Sequence, residues 1–189
     1  MVASVDGSTA LDGASAGLSS DVDREMLLTL RTLADVIIVG AGTLRAEDYG
    51  VPKKPGQRIG VISRSGTVDP SSRLFTSGAG FLILPEDAPP TSIESVRAGI
   101  GELDLAAALL QLPGAPVFVQ AEGGPSINGA LAAADLIDEL NLTTSPQFVG
   151  GDGKRITVDM PAMGQPYDLV QLCEDDGFLF SRYVRHREG

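Results

Sequence analysis

The sequence predicts an α/β fold: a mostly parallel sheet flanked by helices, with a C-terminal antiparallel hairpin. Three observations carry this. Short, wholly apolar runs at Val36-Ile-Ile-Val39, Ile59-Gly-Val-Ile62, Phe81-Leu-Ile-Leu84 and Val117-Phe-Val119 suit strands buried on both faces. The segments between them read as helices with short joints, the alternation a parallel sheet requires. Residues 167–174 and 178–185 are strand-like and are joined by Asp175-Asp-Gly177, a hairpin-turn signal.

Taken in order, Met1-Val-Ala-Ser-Val5 is a short apolar first strand. The Gly- and Ser-rich residues 6–20 have neither period and read as a long loop, a kind that is often functional. Ser20, followed by Asp21 and Asp23, is an N-cap with acids in the first turn. Met26, Leu30, Leu33 and Ala34 then recur at helical spacing, which predicts a helix over 21–33. Further helices are expected over 91–98, 103–111 and 127–134, and a strand over 139–143. The Pro/Gly-rich residues 51–57 and 160–166 read as surface connections.

The chain has 189 residues, 43% hydrophobic and 21% charged, which fits one domain over residues 1–189 with a continuous core. A net charge of −11 argues against broad contact with nucleic acid or an anionic membrane, so an anionic ligand must be met by local donors. The single cysteine, Cys173, excludes an internal disulfide and a cysteine-based zinc cluster and is expected to be a small buried or half-buried side chain. No apolar run approaches the roughly 20 residues that span a bilayer, and a cytoplasmic protein is expected.

The most informative stretch is Glu122-Gly-Gly-Pro-Ser-Ile-Asn-Gly129, where a buried strand hands over to a helix. Gly123 and Gly124 remove the Cβ atoms that would hold a ligand away, and Ser126 and Asn128 are placed to help cap the helix. Its free N–H groups and positive dipole end would face a phosphate. The same residues would also serve as simple punctuation between strand and helix. A second glycine joint, Gly40-Ala-Gly-Thr43, resembles half of a dinucleotide fingerprint. It lacks the third glycine and the ribose-binding acid, with Gly60 and Ser63 in that region instead, which disfavours an ordinary NAD-binding Rossmann fold. Thr43, Arg45, Glu47 and Asp48 are expected on the loop that follows, at a strand's carboxyl end.

Ser63-Arg64-Ser65 leaves the next strand, and a guanidinium flanked by hydroxyls suits the 2′-phosphate of NADP or marks a plain turn before Gly66. His186, the only histidine, lies near the C-terminus, so neither a His-dependent triad nor a multi-His metal site is expected and no metal is called for. The proton-handling candidates are carboxylates: Asp6, Glu47 or Asp48, and Glu122. Glu122 stands between a buried strand and the glycine pair, positioned to handle a proton or to serve a ligand as acceptor.

Taken together, Ser4-Val-Asp-Gly7, Asp23-Arg24 with Leu30-Arg31, Val39 through Asp48, Ser63-Arg64, Glu122 through Leu131, Asp138-Glu139-Leu140 and Pro146 through Gly151 resemble the reductase domain of bacterial riboflavin biosynthesis, over nearly the whole chain. That resemblance implies a dihydrofolate-reductase-like fold, NADPH as cofactor, a pyrimidine ribosyl phosphate substrate whose ribosyl group is reduced to ribityl, and a homodimer. It implies cofactor contacts at Thr43, Glu47, Ser63 and Arg64 and along Gly123, Gly124, Pro125, Ser126, Ile127 and Gly129. Arg31, Glu122 and Ser15 would face the substrate, with Asp6 or Glu122 near the proton delivered.

The chain departs from the family pattern at Glu47-Asp48-Tyr49, where Asp-Asp-Pro is usual. The basic residue that often follows is absent or displaced to Lys53 or Lys54. Neither a His-x-Glu nor a Pro-Cys-x-x-Cys segment occurs, so deamination is expected from a separate deaminase. The alternatives are an NADPH reductase of the same superfamily acting on another substrate and a non-catalytic nucleotide-binding module.

Overall fold

A computed structural model of the protein describes residues 1–47 and 49–187. Asp48, one of the carboxylate candidates, lies outside the described residues. In chain order the elements are β1 (Val2–Ser4), α1 (Asp21–Leu33), β2 (Val36–Gly40), α2 (Ala41–Ala46), β3 (Arg58–Ile62), α3 (Arg73–Thr76), β4 (Gly80–Leu84) and β5 (Ser95–Arg97). They continue with α4 (Leu105–Leu110), β6 (Val119–Ala121), α5 (Pro125–Ala133), β7 (Glu139–Ser145), β8 (Tyr167–Asp175) and β9 (Phe178–Arg185). The chain forms two compact units, Leu28–Ile127 and Met1–Leu27 with Asn128–Gly189.

The unit of residues 28–127 is built on a five-stranded, wholly parallel sheet in the order β5-β4-β3-β2-β6. The apolar runs at β2 and β4 are buried at every residue, as expected for strands covered on both faces. Ile37, Val39, Ile59, Val61, Leu74, Leu82 and Leu84 make one core cluster. At the C-terminal end of α1, carbonyls without a partner in the helix find side-chain donors: Gln57 Nε2 reaches Arg31 O and Ala34 O at 2.6 and 2.7 Å, and Lys54 Nζ reaches Ala34 O at 2.8 Å. Asp104 caps α4 by accepting the Ala107 N–H at 2.9 Å.

The other unit carries a four-stranded sheet in the order β1-β7-β9-β8. β1 runs parallel to β7, and β7, β9 and β8 are antiparallel neighbours. Asp176 and Gly177 have φ of 47° and 79°, the left-handed pair that a two-residue hairpin turn requires, so the Asp-Asp-Gly signal is realised as read. α1 begins at the Ser20 cap, whose hydroxyl accepts the Asp23 N–H at 3.1 Å.

Four expectations are corrected. Residues 91–98 form no helix: Ser95–Arg97 is the edge strand β5, and the Leu82 N–H donates to Glu94 O at 2.8 Å. Pro89-Pro90 opposes helix just upstream, and the open edge of β4 offers this backbone its hydrogen bonds. The run at Val117 enters the sheet only at Val119. The N–H groups of Val117 and Phe118 donate to the Asp35 carboxylate instead, leaving Val117 97% exposed. Residues 41–46 are the helix α2 rather than a loop. Cys173 is exposed because it sits on β8, an edge strand open on both faces.

Candidate active site

In an open parallel sheet, ligands collect outside the carboxyl ends of the strands, at the point where strand order reverses. Here β2 is followed by β3, β4 and β5 on one side, while β6 returns to its other side, so the switch point lies between β2 and β6. Gly40 ends β2 and pairs across to Ile62, the end of β3, and Ile38 pairs to Ala121, the end of β6. Thr43 and Glu47, Ser63 and Arg64, and Glu122 through Ile127 are therefore the exits of three adjacent strands. The register brings these sequence-predicted residues to one rim.

At the switch point the backbone is close-packed and bare. The Gly40 N–H donates to Gly123 O at 2.7 Å, and a Cβ on Gly40 would lie 3.0 Å from Ile127 Cγ1 and 3.4 Å from the Gly124 nitrogen. Gly123 adopts φ +83°, which glycine alone takes freely. A Cβ on Gly124 would lie 2.8 Å from Thr43 Oγ1. Pro125 opens α5, where its missing N–H costs nothing, and exposed Ser126 follows in the first turn. This cradle, which side chains would fill, fits a pyrophosphate received on backbone N–H groups.

Along the rim, buried Ser63 accepts the Gly66 N–H on its hydroxyl at 3.0 Å and so fixes the turn that presents exposed Arg64. Arg45 Nη1 donates to Thr67 O at 3.4 Å and brings a second guanidinium to the same loop. Glu47 terminates α2, its N–H reaching Thr43 O at 2.9 Å.

Inside the rim lies a polar cluster. The Glu122 side chain is 5% exposed and that of Arg31 29%. Arg31 Nε donates to Glu122 Oε1 at 2.7 Å and Nη2 to Oε2 at 2.6 Å, a bidentate pair. Tyr49 Oη donates to Oε2 at 2.7 Å and Gln120 Nε2 to Oε1 at 2.8 Å. The Arg31 guanidinium carbon lies 5.3 Å from the Tyr49 ring centroid. The bond to Glu122 raises the Arg31 pKa, while burial, followed by the Glu122 charge, pushes the Tyr49 phenol upward, so both are protonated donors at neutral pH. Gln120 Oε1 is buried without a partner among the described residues.

Tyr49 completes this cluster and is not among the site residues expected from the sequence. Its signal was the departure from Asp-Asp-Pro, visible only as a difference.

Other predicted residues have structural work. Asp6 accepts the Ser4 hydroxyl and the Gly150 N–H, the latter at 2.7 Å, and the Val149 N–H. These bonds, the Ser4 one first, lower its pKa to about 2. At neutral pH Asp6 is therefore an anion that ties down residues 149–150. Ser15 opens the short 3-10 turn Ala16–Leu18, its carbonyl accepting the Leu18 N–H at 3.0 Å.

Asn128 is no cap: it is buried within α5, and Nδ2 donates to Ile156 O at 2.9 Å. The bare face of Gly129 meets the Val158 carbonyl. Lys54, considered for phosphate, sits at the amino ends of the strands with its ammonium on Ala34 O, the opposite edge from the rim. Among the described residues no group of three or more His, Cys, Asp or Glu side chains could hold a metal ion.

Comparison with known proteins decides the lineage. The model of the RibD C-terminal domain matches residues 1–175. The chain belongs to the RibD C-terminal domain family. It is 29% identical to the 2,5-diamino-6-ribosylamino-4(3H)-pyrimidinone 5′-phosphate reductase of Methanothermobacter thermautotrophicus, over 89% of this chain and 85% of that protein. A crystal structure of a pyrimidine reductase-like protein from Corynebacterium diphtheriae superposes with a TM-score of 0.87 at 24% identity, covering 99% of this chain and 90% of that one. The deaminase/reductase of Thermotoga maritima superposes at 0.73 with 18% identity, covering 98% of this chain and 55% of that one. The α/β architecture expected from the sequence, a parallel sheet flanked by helices with an antiparallel C-terminal hairpin, is thus the fold shared with these structures.

Proposed function

We propose that this RibD C-terminal domain protein, acting over residues 1–189 as one reductase domain, is an NADPH-dependent reductase. It would convert the ribosyl group of a 5-amino-6-(5-phosphoribosylamino)pyrimidine to ribityl in riboflavin biosynthesis. The observation that carries this reading is the convergence of the Gly40, Gly123, Gly124 and Thr43 cradle with Ser63 and Arg64 on one switch-point rim, in a chain whose named relative is a pyrimidinone phosphate reductase. NADPH supplies the hydride. The cradle and the first turn of α5 would hold its pyrophosphate, and Arg64 with the hydroxyl-lined turn its 2′-phosphate.

The half-buried Arg31, held by buried Glu122, orients the substrate beside the sugar carbon that is reduced. Glu122, held by four donors, keeps the Arg31 guanidinium in place. Asp6, ionised at neutral pH, has its place in holding residues 149–150.

We also propose a cytoplasmic homodimer working beside a separate deaminase. No helix among the described residues is long and apolar enough to cross a membrane. β8 offers an unpaired outer edge with Leu169, Val170 and Leu172 exposed. The purified protein, mixed with NADPH and the pyrimidine ribosyl phosphate, should show a substrate-dependent fall in NADPH absorbance. No fall with the pyrimidine but one with dihydrofolate would assign the protein to another reductase activity of the superfamily. NADPH binding without any turnover would leave a nucleotide-binding module.

A further inference from the structure

An arginine side chain has many rotamers, and a site that uses its guanidinium has to hold it. Arg31 is held from two directions. In its plane, Nε and Nη2 donate to Glu122 Oε1 and Oε2 at 2.7 and 2.6 Å. On its face, the guanidinium carbon lies 5.3 Å from the centroid of the Tyr49 ring. Tyr49 serves both directions, because its phenol also donates to Glu122 Oε2 at 2.7 Å. The ring is half-buried and packs against the core cluster of the parallel sheet, which gives it a rigid footing. Gln120 supports the other carboxylate oxygen from Nε2 at 2.8 Å, although its own oxygen is buried without a partner among the described residues. An unsatisfied buried acceptor costs stability, yet the amide cannot turn over without setting that oxygen against the carboxylate.

We propose that Tyr49 is a positioning residue for substrate binding: footed on the core, it fixes Glu122 with its hydroxyl and Arg31 with its ring, and so sets the guanidinium in place before a substrate arrives. The Arg31 side chain is 29% exposed and within reach of a ligand, whereas that of Glu122 is 5% exposed and acts on the ligand only through Arg31. A guanidinium already ordered loses little further rotamer freedom on binding, which strengthens ground-state binding and leaves hydride transfer alone. Proline, usual in the family at this position, carries neither the aromatic face nor the hydroxyl. The clamp is therefore a feature of this chain's departure at Tyr49.

The role assigned to Tyr49 rests on the reductase reading, and its test includes a readout that does not. Tyr49→Phe keeps the ring and removes the donor, and Tyr49→Leu removes both. Water exchange of the Arg31 Nε–H proton is followed by NMR in the parent and both variants. NADPH oxidation with the pyrimidine ribosyl phosphate gives KM and kcat for the same three proteins. The Nε–H proton should exchange about fivefold faster or more in the variants than in the parent. KM for the pyrimidine should rise about fivefold in Tyr49→Phe and about 20-fold in Tyr49→Leu, with kcat and NADPH affinity each held within about twofold. In an Arg31→Lys background, which lacks the bidentate fork and the planar face, Tyr49→Phe should add less than about twofold to the Kd of the ribityl product. Calorimetry measures that Kd without turnover.

Equal weakening of pyrimidine and NADPH, or a fall in kcat at constant KM, would make Tyr49 merely structural and overturn the proposal. Additive losses in the Arg31→Lys background would show that Tyr49 does not act through Arg31, and an Nε–H proton that exchanges alike in all three proteins would show that it does not order Arg31. Either result overturns the proposal too. If the parent consumes no pyrimidine while Tyr49 still protects the Nε–H proton, the clamp exists but the reductase reading fails, and the substrate role of Tyr49 falls with it.

Discussion

Gly124 and Thr43 share one wall of the cradle: a Cβ atom on the glycine would lie 2.8 Å from the threonine hydroxyl oxygen. The two residues leave different strands, β6 and β2, and the contact joins the two sides of the switch point. It ties the bare backbone that phosphate binding needs to a specific neighbour.

Replacing Gly124 with Ala should therefore destabilise the protein by about 1–3 kcal/mol through overpacking and weaken NADPH binding. Thr43→Ala removes the atom in the way, so the double variant should recover at least about half of that stability loss. Urea unfolding of the four proteins in the cycle measures it, and additive losses would show that the wall is not shared.

Arg64→Ala should cost about 1.5–3 kcal/mol of NADPH affinity, roughly a 10- to 150-fold loss, because it removes a charge-assisted contact to the 2′-phosphate. NADH affinity should scarcely change. Cofactor titrations decide it, and equal weakening for both cofactors would make Arg64 a turn residue only.

The Arg31–Glu122 pair should respond asymmetrically to its two halves. Arg31→Met strands a carboxylate that is 5% exposed, whereas Glu122→Gln leaves a guanidinium that is 29% exposed and reachable by water. We expect a loss of about 3 kcal/mol for the first and about 1 kcal/mol for the second, from the cost of an uncompensated buried charge. Denaturation midpoints of the two single variants test the order.

Asp6 links stability to acid. Its folded pKa of about 2 lies below the ordinary 3.8, so its contribution is fully present above pH 3.8 and is lost as pH falls toward 2. Asp6→Asn should flatten the stability profile of the parent between pH 4 and about 2. Urea midpoints across that window, unchanged in slope between the two proteins, would show that the Gly150 and Ser4 contacts do not form in solution.

The outer edge of β8 should pair with a second copy of the chain. Sedimentation at micromolar protein is expected to give twice the chain mass, and Leu172→Lys, which places a charge on that exposed edge strand, should shift it toward monomer. A monomeric parent would remove the dimer from the functional reading.

What the sequence by itself determined about this protein is local and periodic. Apolar runs long enough to be strands, Ser20 as a cap, Asp175-Asp-Gly177 as a turn and the glycine pair at 123–124 each encode their conformation within a few residues, and the motif order placed the chain in its family. Residues 91–98 and Val117 escaped that reading because their state depends on which backbone groups they meet: the open edge of β4 for the first, the Asp35 carboxylate for the second.

Tertiary structure alone decided the site's chemistry. Arg31 and Glu122 are 91 residues apart, and Tyr49 is 73 from Glu122. Sequence spacing holds no information about which donors will fill a carboxylate. The parallel register of β2 with β3 and β6 brings these groups together, and the low polarity there leaves an ion pair and a phenol satisfying one another instead of water.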